Sequence, residues 1–235
     1  MTKQSITMSL IFAAAIILAS VILKQGIVEF KTLDRSVSVK GLAEKEVMAN
    51  TVIWPINYSL AGNDLTALIG ELETKNQAVR AFLALHGFAD DEVSVAPPNV
   101  ADKLAQPYAQ LEKGQMRYFV MSSITVYSHE PEKVRHALTK VTQLAKQGIA
   151  ISSDRYDAKV QYIFTGLNDI KPEMIQQATE KAREVAQKFA SDSNSTLGKI
   201  KSARQGQFTI ADRDSNSPHI KRVRVVSSLE YYLVD

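Results

Sequence analysis

The chain has 235 residues, 28 of them basic and 25 acidic, a net charge of +3, and no cysteine. The lack of cysteine excludes a disulfide framework and a zinc–thiolate site. Beyond residue 24 the balance is 26 basic residues against 25 acidic ones, +1, so the body lacks the basic surface that nucleic-acid binding needs.

Ser5–Leu23 carries no charge and is flanked by Lys3 and Lys24. At helical rise its length is about 28 Å, close to the hydrocarbon thickness of a bilayer. A cleaved signal peptide would need a small-residue cleavage site after the apolar run. The only A-x-A, Ala13–Ala15, lies inside that run, and Val21, Ile22 and Leu23 continue past Ala19 and Ser20. A helix apolar on all sides at this length is unusual in a soluble core. The expected element is an uncleaved transmembrane anchor, with cleavage to a free periplasmic protein as the alternative. Flanking charge barely decides orientation. With the whole body following the segment, we place the N-terminus inside and the body outside the cytoplasm.

Gln25–Ser36 reads as a linker. Val37 and Val39 open a strand, with a break expected at Gly41. Val52–Leu60 alternates, with Val52, Trp54, Ile56, Tyr58 and Leu60 on one face, and Pro55 marks an edge or a bulge. Asn63 is a candidate cap for a helix over Asp64–His86, ended by Gly87. Glu92–Ala96 reads as a short strand stopped by Pro97-Pro98, and Asn99–Gln115 as a long irregular loop. Arg117–Ser128, apolar on both faces, is expected to be a central strand.

Pro131 opens a second helix, to Gln147. Ile149–Ser152 and Ala158–Phe164 read as strands. Pro172 is expected to open a third helix, to about Ser191, with Ile175, Ala178, Ala182, Val185, Ala186 and Phe189 buried. Ser195–Arg204, Gln207–Ile210 and Arg222–Val234 read as strands around a turn-rich loop, Asp212–Pro218. The predicted fold is α+β, with mixed or antiparallel sheets packed on three main helices, preceded by one N-terminal transmembrane helix. The predicted division is 1–24 anchor, 25–35 linker and 36–235 a single α+β domain.

In order, Val37–Gly41, Glu44–Val47 leading into the Trp54 strand, the Asp64–His86 helix, the Arg117–Ser128 strand, the alanine-spaced helix from Lys171-Pro172 to Phe189, and Leu197–Ile200 form a pattern. That pattern resembles the SIMPL-domain family of bacterial envelope proteins, over about Ser36 to Asp235. The resemblance implies a periplasmic or membrane-anchored protein, sometimes tied to oxidative-stress tolerance and similar in some members to oligomeric rings. It supplies no catalytic residues.

No constellation carries evident chemistry. His129-Glu130 lacks a second histidine four residues on; the next is His136. Asp212, Asp214 and Asn216 match the first half of a calcium loop, but Ser217 and Val223 stand where glycine and glutamate are needed. There is no G-x-S-x-G, P-loop or G-x-G-x-x-G. Catalytic, cofactor and metal residues are therefore expected to be none. Lys221, Arg222 and Arg224, with Lys199, Lys201 and Arg204, form the one basic concentration, which fits an anionic partner or a solvated face. Trp54 and Tyr58 share a strand face, as core or interface.

The expected interaction surface is Leu104, Tyr108, Leu111, Arg222 and Arg224. The expected function is a non-enzymatic, inner-membrane-anchored periplasmic protein that forms homo-oligomers and supports envelope or oxidative-stress tolerance. An envelope binding module presenting the 99–115 loop is the second reading, and a hydrolase with scattered residues the third.

Overall fold

The computed structural model describes residues 2–32, 35–105, 113–152 and 158–234, and within 2–32 the side chains of Met8 and 12–26. The first element is a helix, α1 (Thr2–Thr32), which runs on through the first part of the stretch read as a linker. Every side chain described on it is exposed, including Phe12, Ile16, Ile17, Leu18, Ile22 and Leu23. Ser20 donates its hydroxyl to the Ile16 and Ile17 carbonyls, at 2.8 and 2.9 Å, so this polar group is satisfied within the helix. Among the described residues no helix is long and apolar enough to cross a membrane. The continuous run 12–26 is shorter than the ~20 residues that a span requires.

The remaining chain forms an α+β body of nine strands and four helices among the described residues. The strands are β1 (Ser36–Met48), β2 (Thr51–Gly62), β3 (Val93–Val95), β4 (Asn99–Asp102), β5 (Tyr118–Ser128), β6 (Gln161–Ile163), β7 (Thr196–Gln205), β8 (Thr209–Asp212) and β9 (Ile220–Val234). The helices are α2 (Leu65–Leu85), α3 (Pro131–Lys140), α4 (Thr142–Lys146) and α5 (Leu167–Asp192). Contacts divide the chain into two compact units, 1–45 with 168–209 and 223–235, and 46–167 with 210–222.

The second unit holds the sheet β3-β5-β2-β6, with β4 also on β5; the registers of β2, β3 and β4 on β5, and of β6 on β2, are all antiparallel. β5 is central, as predicted. It buries one face, Val120, Ser122, Ile124, Val126 and Ser128, while Phe119 and Tyr127 on the other face are exposed. Val52, Trp54, Ile56 and Tyr58 point into the core, as the alternation of β2 requires. β6 pairs only with Thr51–Ile53 of β2, and beyond it Ser152 donates to the Asn57 carbonyl. Alternate residues share a hydrogen-bonding side, so Pro55 falls between those two contacts, and no ladder bond among the described residues needs its N–H.

Leu68, Leu72, Val79, Phe82 and Leu83 of α2 are buried. Its cap is Asp64, not Asn63: the Asp64 carboxylate accepts from the backbone N–H of Thr66 and Ala67 at 2.9 and 3.1 Å. Asn63 instead accepts from the Arg117 N–H. Gly87 takes φ of 83° behind the helix, a conformation that disfavours a side chain. The second predicted helix divides at Val141 into α3 and α4. Of the predicted loop at 99–115, residues 99–102 are strand, and of the two strands predicted after Gly148 only β6 and a single bridge at Ile151 form among the described residues.

The first unit pairs β7 with β9 antiparallel, in a sheet of order β1-β9-β7; β8, which pairs with β9, falls almost wholly within 210–222 of the second unit. β1 runs through Gly41 without a break. Gly41 is required for another reason: a Cβ there would meet the Ala178 carbonyl oxygen at 1.8 Å and the Ala182 nitrogen at 2.6 Å, so strand and helix backbones touch. α5 begins at Leu167 and contains Pro172. Asn168, whose carbonyl loses its helical partner to that proline, is exposed to water. The buried stripe is Met174, Ala178, Ala182, Ala186 and Ala190; Val185 and Phe189, predicted inside, are exposed. The stripe follows the i+4 row, and alanine along it permits the close approach at Gly41.

Candidate functional site

The residues expected to form an interaction surface do not assemble into one. Leu104 lies in the short 3-10 turn Lys103–Ala105 after β4 and is exposed, while Tyr108 and Leu111 lie outside the described residues. Arg222 and Arg224 share an exposed face of β9, but both are engaged. Arg222 donates to the Arg213 carbonyl at 3.3 Å, and the Arg224 guanidinium stands 3.5 Å from the Glu44 carboxylate. Lys221 is buried on an ion pair with Asp212, and Lys201 pairs with Glu230 at 3.4 Å.

The calcium-like run is a polar turn. Asp214 accepts from the backbone N–H of Asn216 and Ser217 at 2.9 and 2.7 Å. The hydrogen bond from Arg213 holds its carboxyl below the usual carboxylate range despite some desolvation. His129 Nδ1 is 3.3 Å from the Thr51 hydroxyl. Burial pushes the His219 imidazole below its ordinary value, and its ring packs edge-on to Tyr162. Among the described residues no three metal-ligating side chains converge. Trp54 and Tyr58 belong to the core; Tyr58 donates to the Asn76 side-chain oxygen at 2.8 Å, which also accepts from Ser122 at 2.7 Å.

A concave feature that combines charge with apolar wall lies in the first unit, between α5 and the edge strand β7. Arg183 and Gln187 of α5, Leu197–Ile200 of β7 and Tyr231 of β9 enclose a groove of about 620 Å³. Local sequence builds it. The β7–β9 register shifts twice, between Leu197 and Ile200 and again before Ser202, and such bulges turn side chains away from strict alternation. Gly198 lets β7 lie close on β9: a Cβ there would meet the Tyr232 carbonyl oxygen at 2.9 Å. Neither Arg183 nor Lys199 has a carboxylate partner among the described residues. The Tyr231 hydroxyl is buried without a hydrogen-bond partner. No sequence motif marks this groove; the only signal is a glycine inside a strand pattern.

The chain is thus an α+β body with antiparallel sheets, led by an exposed apolar helix and bearing a cationic groove. The chain belongs to the SIMPL family, described as a protein of unknown function (DUF541), whose profile matches residues 37–227. The match starts one residue into β1 and leaves α1 outside it. No curated protein matches the chain.

Proposed function

We propose that this is a non-enzymatic domain tethered to a bacterial inner membrane through Ser5–Leu23, with its body in the periplasm, where it self-associates and supports envelope or oxidative-stress tolerance. The observation that carries the tether is α1. Its described side chains are apolar over most of 12–23 and all exposed, so no protein core covers them. Apolar surface of that extent in water is costly, at roughly 25 cal/mol per Å², and lipid removes that cost. The role in stress tolerance rests on the family resemblance alone.

The test is alkaline extraction of membranes followed by N-terminal sequencing. The chain is expected to stay with the membrane pellet and to begin at Met1 or Thr2. A soluble product beginning between Ala19 and Gln25 would show cleavage and a free periplasmic protein.

A further inference from the structure

We propose that the groove between α5 and β7 binds a small amphiphilic oxyanion, an apolar body ending in a carboxylate or a phosphate. This goes beyond the tether: it assigns a ligand class to a site that the family description leaves blank. Two features of the groove converge. Its two cations, Arg183 and Lys199, come from different elements, line one concavity and have no carboxylate partner among the described residues, a state they share with Lys40, Lys171 and Lys188 of the same unit. An anion supplies the missing partner, and the arginine fork takes two oxygens of either a carboxylate or a phosphate. Leu197 and Ile200 add apolar wall beside those cations, with Ile200 left 43% exposed. Such a wall favours a ligand with hydrocarbon over a bare ion. Tyr231 closes the floor of the groove with its ring, packed in the core beside Ala182 and Ala186. The groove volume lies within the range of small-molecule sites.

The experiment titrates the full chain, held in zwitterionic lipid nanodiscs, by isothermal calorimetry against empty nanodiscs. The probes are hexanoate, hexyl phosphate, inorganic phosphate and hexylammonium. At least one of the two hexyl anions is expected to bind, and whichever binds tighter identifies the head group. Inorganic phosphate is expected to bind at least roughly tenfold more weakly, and hexylammonium not at all. The double change Arg183→Gln with Lys199→Gln is expected to lower affinity roughly tenfold or more. Both side chains are exposed, so circular dichroism should be unchanged. Failure of both hexyl anions to bind, equal binding of hexylammonium or of inorganic phosphate, or unchanged affinity in the folded double variant would each overturn the proposal. None of these outcomes bears on the tether, which is read from membrane extraction.

Discussion

Glu92 gathers three hydrogen-bond partners. Its carboxylate accepts from the Ser128 hydroxyl at 2.5 Å, from the Lys133 ammonium at 2.9 Å and from the Ala89 N–H at 3.0 Å. Lys133 also reaches Glu130 at 2.9 Å and lies over the Phe88 ring. Burial alone would raise the Glu92 pKa, but the bonds from Ser128, Lys133 and Ala89 outweigh it and hold the carboxyl below its ordinary value of 4.5. Burial likewise opposes the charge on Lys133, and Glu92 and Glu130 overcome it, holding the ammonium above its ordinary 10.5. A depressed carboxyl adds stability above its unfolded pKa and loses it as pH falls through the folded one. A raised ammonium adds stability below its unfolded pKa and loses it as pH rises through the folded one. Stability from this cluster is therefore greatest between the two ranges. Glu92→Gln should cost about 1–2 kcal/mol at pH 7 in urea denaturation, and the difference from the native chain should shrink as acid protonates Glu92. A difference that stays constant into acid would mean that the carboxylate charge contributes nothing.

At the scale of elements, the contact of β1 with α5 decides the packing of the first unit. Gly41→Ala puts a methyl group against two helix backbone atoms, neither of which can rotate away. We expect a loss of about 3 kcal/mol or more, read as a lowered denaturation midpoint. Gly70→Ala in α2 is the control. A Cβ there meets nothing within 4 Å, and the change should stabilise by about 0.5–1 kcal/mol, since glycine weakens a helix interior. If Gly41→Ala were as benign as Gly70→Ala, the backbones of β1 and α5 would not be in contact. The phase of α5 was only partly legible in sequence. Val185 and Phe189 are more hydrophobic than the alanines beside them, so periodicity draws them inward. Close approach to the strand selects for small size instead, and the alanine row wins.

For the molecule as a whole, the proposed self-association turns on the segment between β4 and β5. Its base is pinned: Lys103 donates to the Arg117 carbonyl at 3.0 Å, and Arg117 grips Asp102 through bonds of 3.0 and 2.8 Å. Leu104 and Met116 near that base are exposed. Replacing Lys103–Lys113 with a short Gly-Ser linker leaves β4 and the Asp102–Arg117 pair in place, so the body should keep its circular dichroism spectrum. Light scattering on detergent-solubilised protein should show a smaller particle than the native chain. A native chain already monomeric at micromolar concentration would end the self-association reading.

Alternation in β2, the helical spacing in α2, the turn chemistry at Gly87 and the order of β5, β7 and β9 were all legible from sequence, because each reflects a local period or a local backbone preference. The α+β class followed from the succession of those elements. Other features became visible only in three dimensions: the glycine that lets β1 touch α5, the strand hidden in 99–102, the helix that continues past Leu23, and the convergence of Arg183, Lys199 and Tyr231 on one groove. These three residues come from separate elements, and no sequence spacing encodes their meeting. Strand register and helix approach set it, and both depend on contacts between segments far apart in the chain.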